Sequence, residues 1–186
     1  MADGGPSRKN VKPGASTRLD VAVVRHSAAW RGAGVTDASL ARAARAAFAA
    51  APPPSPGAYE VSLLLTDDAE MRALNATWRG KDAATNVLSF PSSDTPSSDV
   101  SEPGLLGDVA LGYDTTLKEA GETNIAFADH VAHLVVHGVL HLLGLDHMRD
   151  DEAEQMETLE RRALASLGIA DPYAGDKVAR AAEVTP

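Results

Sequence analysis

The chain has 186 residues, 44% of them hydrophobic and 23% charged, and a formal net charge of −9. Those totals fit one soluble globular domain, and no stretch reaches the roughly eighteen consecutive apolar residues of a membrane span, so no membrane partner is expected. Cysteine is absent, which excludes disulfides and thiolate metal sites, and the negative field excludes a protein that grips phosphates over its whole surface.

Residues 1–17, rich in Gly, Pro, Ser and Lys, predict a disordered tail without the apolar core of a secretory signal, and cytoplasm is the expected location. A single domain is expected over 18–170. "RLDVAVVRHSAAW" (18–30) alternates apolar and polar residues as a first strand. Thr36 or Asp37 can cap a helix that "LARAARAAFAA" (40–50) fills and "PPPSPG" (52–57) stops. "YEVSLLLTD" (59–67) reads as a second strand, and 67–80 as a helix with acids in its first turn and Gly80 at its end. "TNVLSFP" (85–91) is a short third strand.

The Pro/Ser stretch 91–107 is long for a loop inside a domain and reads either as a functional flap or as disorder. "DVALGYD" (108–114) is a fourth strand, and one long helix is expected from about Thr123 to Gly144. A last helix opens with Asp150 or Asp151 as its cap, Glu154 completing a capping box, and ends near Gly168; residues 171–186 predict a loose tail. Strands mixed with helices, then two helices in succession, indicate an α+β fold with a small mixed four-stranded sheet.

The long helix ends in "HGVLHLLGLDH" (137–147). Residues four apart on a helix are separated by only about 40° around its axis, so His137 and His141 point the same way. Gly144 can adopt the left-handed conformation that ends a helix and turn His147 back towards the other two. Three imidazoles with a fourth position left open to water is the pattern of catalytic rather than structural zinc, although nickel or copper take similar ligands. The alternative is three core histidines satisfied by hydrogen bonds. His130 and His133 continue the same stripe, either as partners that orient a ligand or substrate or as ordinary polar residues, and His26 reads as structural. Asp146 can be a ligand or can hold an imidazole by its ring N–H.

This spacing is also that of the metzincin proteases, in which a glutamate follows the first histidine as general base. Here that position is Gly138. The metal helix is thus metzincin-like, while the missing carboxylate weighs against peptide hydrolysis.

"HLVVHGVLHLLGLDH" (133–147), followed by "DDEAEQMETLE" (150–160), resembles the signature of the bacterial YbeY family of endoribonucleases that mature ribosomal RNA, and "LNATWRGKDAATNVLSFP" (74–91) and "LGDVALGYD" (106–114) match two further family blocks. The resemblance covers about 60–168, with Leu145 where the family usually has Tyr. It implies an α+β fold, one Zn2+ ion on His137, His141 and His147, and cleavage of single-stranded RNA. It also implies processing of ribosomal-RNA ends, notably the small-subunit 3′ end, and a part in ribosome quality control with ribosome-associated proteins as partners. Arg79 falls on the family's arginine, so the resemblance makes it catalytic, clamping a phosphate oxygen; by itself it reads equally as a helix-end cation. Lys81 and Arg72 either extend a basic strip or sit on a solvated face. Asn86 and Ser89 either position substrate or satisfy a strand edge, and Trp78 either stacks on a base or packs a helix on the sheet. Three readings stand: a zinc-dependent endoribonuclease acting through Arg79, His137, His141 and His147 with Arg79, Lys81 and Asn86 on substrate; a metzincin-like peptidase; and a ribosome-associated RNA-binding module with a structural metal.

Overall fold

The computed structural model describes residues 17–53, 55–92 and 104–174. Four strands form one sheet: β1 (Arg18–Arg25), β2 (Ala58–Thr66), β3 (Val87–Pro91) and β4 (Gly104–Gly112). The order is β1-β2-β4-β3, with β1, β2 and β4 parallel and β3 antiparallel on the β4 edge. The expected α+β class with a small mixed sheet is therefore the observed one. The helices are α1 (Asp37–Ala50), α2 (Asp68–Arg79), α3 (Tyr113–Thr123), α4 (Phe127–Leu142) and α5 (Asp150–Ser166).

Side chains alternate across a strand, so β2 sends Tyr59, Val61, Leu63 and Leu65 to one face and Leu64 to the other. The first set is buried with Val109 and Leu111 of β4 and with apolar residues of α1, α4 and α5, which makes the main core. Ala43, Ala44 and Ala47 of α1 are fully buried, and their small size lets that helix lie close to the others. On the opposite face Met71 of α2 packs with Leu88 and Ala110 in a smaller cluster that Leu64, Leu74 and Phe90 border. The helix α4 is apolar almost all round, with eight buried residues, as expected of a helix enclosed between sheet and helices. No single helix among the described residues is long and apolar enough to cross a membrane.

Several boundaries differ from those the sequence suggested. β1 stops at Arg25, and a single 3₁₀ turn (Ala28–Trp30) follows; it buries Trp30, whose Nε1–H donates to the Thr66 carbonyl at 2.8 Å. β4 begins at Gly104, inside the expected Pro/Ser loop, because β2 pairs with it from Tyr59 onwards. The remainder of that loop, 93–103, lies outside the described residues. Residues 115–122, given no element by the sequence, lie within α3, which takes in 113 and 114 from the expected strand and Thr123 from the expected helix; it buries only Thr116 and Ala120 and so has too thin an apolar stripe to read. The helix expected from Thr123 starts at Phe127, because Asn124 takes a left-handed conformation, φ 53°, and closes α3. The cap of α5 is Arg149, without a side-chain hydrogen bond; Asp150, Asp151 and Glu152 occupy the first turn, where their charge complements the helix dipole instead of capping it. Thr36 does cap α1, in a reciprocal pair with Ser39.

Candidate metal centre and groove

The long helix α4 carries His133, His137 and His141 on one stripe. It ends at Leu143, and Gly144, at φ +88°, reverses the chain, so that the Leu145 amide bonds back to the Leu140 carbonyl at 3.1 Å. Asp146 then accepts the His147 amide at 2.8 Å, fixing the turn; it caps backbone and holds no imidazole. The result brings the three rings together, with centroids 4.6 Å apart for His137–His141, 5.0 Å for His141–His147 and 5.5 Å for His137–His147. One nitrogen from each lies within 4.8 Å of the others.

Proton accounting shows what this trio can hold. His141 Nδ1 lies 2.8 Å from the Leu145 carbonyl, which only accepts, so Nδ1 carries the proton. His137 Nδ1 lies 2.7 Å from Glu160 Oε1. Burial would raise the Glu160 carboxyl, but hydrogen bonds from His133, His137 and Tyr173 hold it at about 2; it is a carboxylate and His137 Nδ1 also carries its proton. Burial, then the neighbouring His137, lowers the pKa of His141 and keeps it neutral. The two Nε2 atoms stand 3.1 Å apart, a separation that an ion bound by both rings, or a proton shared between them, accommodates. Nitrogens bound about 2.05 Å from one tetrahedral ion stand about 3.3 Å apart. The donor set fits a divalent metal with nitrogen preference.

Gly138 has a packing reason. A Cβ there would meet Val109 Cγ1 at 2.6 Å and Ser89 Oγ at 3.1 Å. The helix lies directly on β3 and β4 at this point, and Ser89 Oγ donates to the Gly138 carbonyl at 3.1 Å. Position 138 thus faces the sheet, where a glutamate has no room.

Around the trio runs an open groove of about 790 Å³ that also takes in Arg79, Lys81, Asn86 and Ser89. Arg79 closes α2, where Gly80 takes the left-handed cap, φ 68°. The following loop is tied down by Asn75, whose Nδ2 donates to the Ala83 carbonyl at 2.8 Å and whose own carbonyl accepts the Lys81 amide at 3.2 Å. Among the described residues neither Arg79 nor Lys81 forms an ion pair. Arg72 does, as a bidentate pair with Asp82 at 2.5 and 2.7 Å, which removes it from the basic strip. Asn86 borders the groove but its amide is engaged: Nδ2 donates to Glu119 at 2.9 Å and Oδ1 accepts the Val87 amide at 2.6 Å. These bonds anchor β3 to α3 and commit the Oδ1 and one Nδ2 hydrogen. Trp78 is 69% exposed and stands edge-on to Phe90 in a different cavity, which Leu64 and Ala110 also line, on the opposite face of the sheet.

The other histidines are held by acids. His130 Nε2 lies 3.0 Å from Glu119 and His26 Nδ1 lies 3.0 Å from Glu70. His133 Nε2 lies 3.2 Å from Glu160 Oε2, so it supports the site from behind and does not face the groove. Two residues that contact the trio's surroundings escaped the sequence reading, Glu160 and Tyr173. Glu160 was legible in principle: it falls in phase with Met156, Ala163 and Leu164 on the buried face of α5, where an unpaired acid would be costly. Tyr173 lay in the expected loose tail, yet residues 171–174 are described and turned against α5.

Residues 33–168 match the family model described as Endoribonuclease YbeY. The chain is 45% identical over 183 residues to a protein named endoribonuclease YbeY from Parvibaculum lavamentivorans, covering 94% of this chain and 97% of that one. A protein of the same name from Azorhizobium caulinodans is 54% identical over 132 residues, covering 71% and 82%. The solution structure of TM1509 from Thermotoga maritima shares the fold at 21% identity and a TM-score of 0.50, covering 82% of this chain and 98% of that one. By these likenesses the chain belongs to the YbeY endoribonuclease family.

Proposed function

We propose that the protein is a zinc-dependent endoribonuclease that cuts single-stranded RNA in the cytoplasm, trims ribosomal-RNA ends, notably the small-subunit 3′ end, and serves ribosome quality control. One observation carries this reading beyond the family name: the three converging imidazoles share their groove with Arg79 and Lys81. His137, His141 and His147 would hold a divalent ion, which would supply Lewis acidity for the phosphoryl group and for activating a nucleophile.

The chain's own residues do the rest. Arg79 presents a planar fork that matches two phosphate oxygens and offsets the negative charge that grows on them as the phosphodiester is attacked. Lys81 supplies a point charge for a neighbouring phosphate. Glu160 and the Leu145 carbonyl hold the rings of His137 and His141 in one tautomer. The groove is open, which suits an unpaired strand. With a net charge of −9, affinity rests on this local patch, and delivery of RNA by a ribosome-associated partner is expected.

The peptidase reading loses its base, because position 138 faces Val109. Against a purely structural metal, the trio opens on the groove and His147 is exposed, whereas structural zinc sites are closed by four protein ligands. Metal analysis combined with cleavage of a defined single-stranded RNA by wild type, His137→Ala and Arg79→Ala tests the proposal. Undiminished cleavage by both variants would sink it, and a zinc-dependent casein activity would revive the peptidase. Mapping the product ends separates attack by water from attack by the RNA 2′-hydroxyl.

A further inference from the structure

The residue that orients His137 is itself held by the C-terminal turn. Glu160 is 1% exposed. While its Oε1 takes the His137 Nδ1–H, its Oε2 receives the Tyr173 hydroxyl and His133 Nε2. The Tyr173 oxygen also lies 3.3 Å from His133 Nε2, and the two rings meet edge to face at 5.7 Å. The turn is secured independently: the Tyr173 amide donates to Asp171 at 2.9 Å, Arg161 Nε lies 3.4 Å from the same carboxylate, and the Arg161 guanidinium sits 5.0 Å above the Tyr173 ring. Tyr173 also walls a small cavity of about 190 Å³ that touches His137 and His147 from the side of α5.

We propose that Tyr173 is a positioning residue of the metal centre, its hydroxyl fixing the Glu160 carboxylate so that His137 keeps Nε2 towards the ion. This rests on the reading of the trio as a metal site. The reason is the geometry of a carboxylate. The two oxygens are equivalent, so a half-turn about the last bond changes nothing; smaller swings about it carry the acceptor out of line with His137 Nδ1–H, and a donor on Oε2 restrains them. Without the tyrosine hydroxyl, that task falls to His133 alone, at 3.2 Å, the long end of the hydrogen-bond range. The ring then has more freedom to lose when it binds, and outer partners of this kind typically change metal affinity by about 10- to 100-fold. The C-terminal turn is in this way coupled to the metal through two side chains.

The test uses the full chain, with zinc affinity measured by competition against a chromophoric chelator and visible spectra recorded on the cobalt-loaded protein. Tyr173→Phe, nearly isosteric, is expected to bind zinc about tenfold more weakly and to shift the cobalt bands. Wild-type affinity and an unchanged spectrum in Tyr173→Phe, alongside abolished binding in His137→Ala, overturn the positioning role and leave the metal site standing. Undiminished zinc binding by His137→Ala removes the site reading and this inference together. A measurement on the wild type needs no variant to fold: because coupling is reciprocal, zinc is expected to slow amide exchange at residues 171–174, and exchange insensitive to zinc overturns the proposal.

Discussion

Nδ1 of His137 lies 2.7 Å from Oε1 of Glu160, a residue 23 positions further along the chain on the neighbouring helix. This hydrogen bond joins two helices, selects the tautomer of one ring of the histidine trio and places a carboxylate in the protein interior. Removing the carboxylate with Glu160→Ala leaves the half-buried Tyr173 hydroxyl and two imidazole N–H groups without their acceptor. A loss of about 1–3 kcal/mol is expected from leaving buried donors unsatisfied, read by urea unfolding of the metal-free protein.

The three ligands should be equivalent in function and unequal in stability. His137→Ala, His141→Ala and His147→Ala are each expected to reduce RNA cleavage by about a hundredfold or more, since loss of a ligand exceeds the effect of losing its outer partner. His147 sits on the exposed loop after Gly144, so its variant should unfold at nearly the wild-type urea midpoint. Single-turnover cleavage and urea titration on the same preparations check both statements.

Gly138→Glu is expected to destabilise the fold without creating a peptidase. The added Cβ falls 2.6 Å from Val109 Cγ1, and valine, stiff at χ1, cannot swing aside. Overpacking of this kind costs about 1–3 kcal/mol for the Cβ alone, so Gly138→Ala should already lower the melting temperature. Peptide hydrolysis appearing in the glutamate variant would contradict this placement of the residue.

Arg79 and Lys81 should be separable by salt. Removing one cation that neutralises a phosphate is expected to reduce the slope of log affinity against log salt by about 0.7 for a single strand. Lys81→Ala should show that change with little effect on the cleavage step, and Arg79→Ala should slow cleavage at saturating RNA as well. Trp78→Ala, on the other face of the sheet, is expected to leave both unchanged. Fluorescence binding over a salt series, with kcat from full progress curves, decides it.

Acid stability has a second anchor away from the site. Glu70 receives the Thr66 hydroxyl and faces His26, and the Thr66 bond, opposed by burial and aided by His26, holds its carboxyl below the ordinary value of 4.5. A depressed carboxylate contributes stability in full above its unfolded pKa and loses it as pH falls through the folded one. Thr66→Val should therefore lower stability at neutral pH and flatten the decline below about pH 4.5. Unfolding free energies compared across that range, wild type against variant, give the difference directly; parallel curves would contradict it.

Local rules reached much of this molecule because its elements are locally consistent. The alternation in 59–67, the alanine-rich face of 40–50, the Thr36 cap and the Gly80 terminus are properties of a few neighbouring residues, and the structure retains them. The histidine trio was legible for the same reason: two members are one helical turn apart and the third follows a glycine that reverses the chain. Only packing decided the remainder. Gly138 owes its identity to Val109, α3 buries only Thr116 and Ala120, and the Asn86 amide at the edge of the groove is held by Glu119. Glu160 reaches the histidine trio across the interval between helices, and Tyr173 reaches Glu160 from beyond the last helix. Spacing along a chain encodes which residues share a face; which faces meet is set by the burial of the whole apolar surface at once, and that sum appears only in the folded protein.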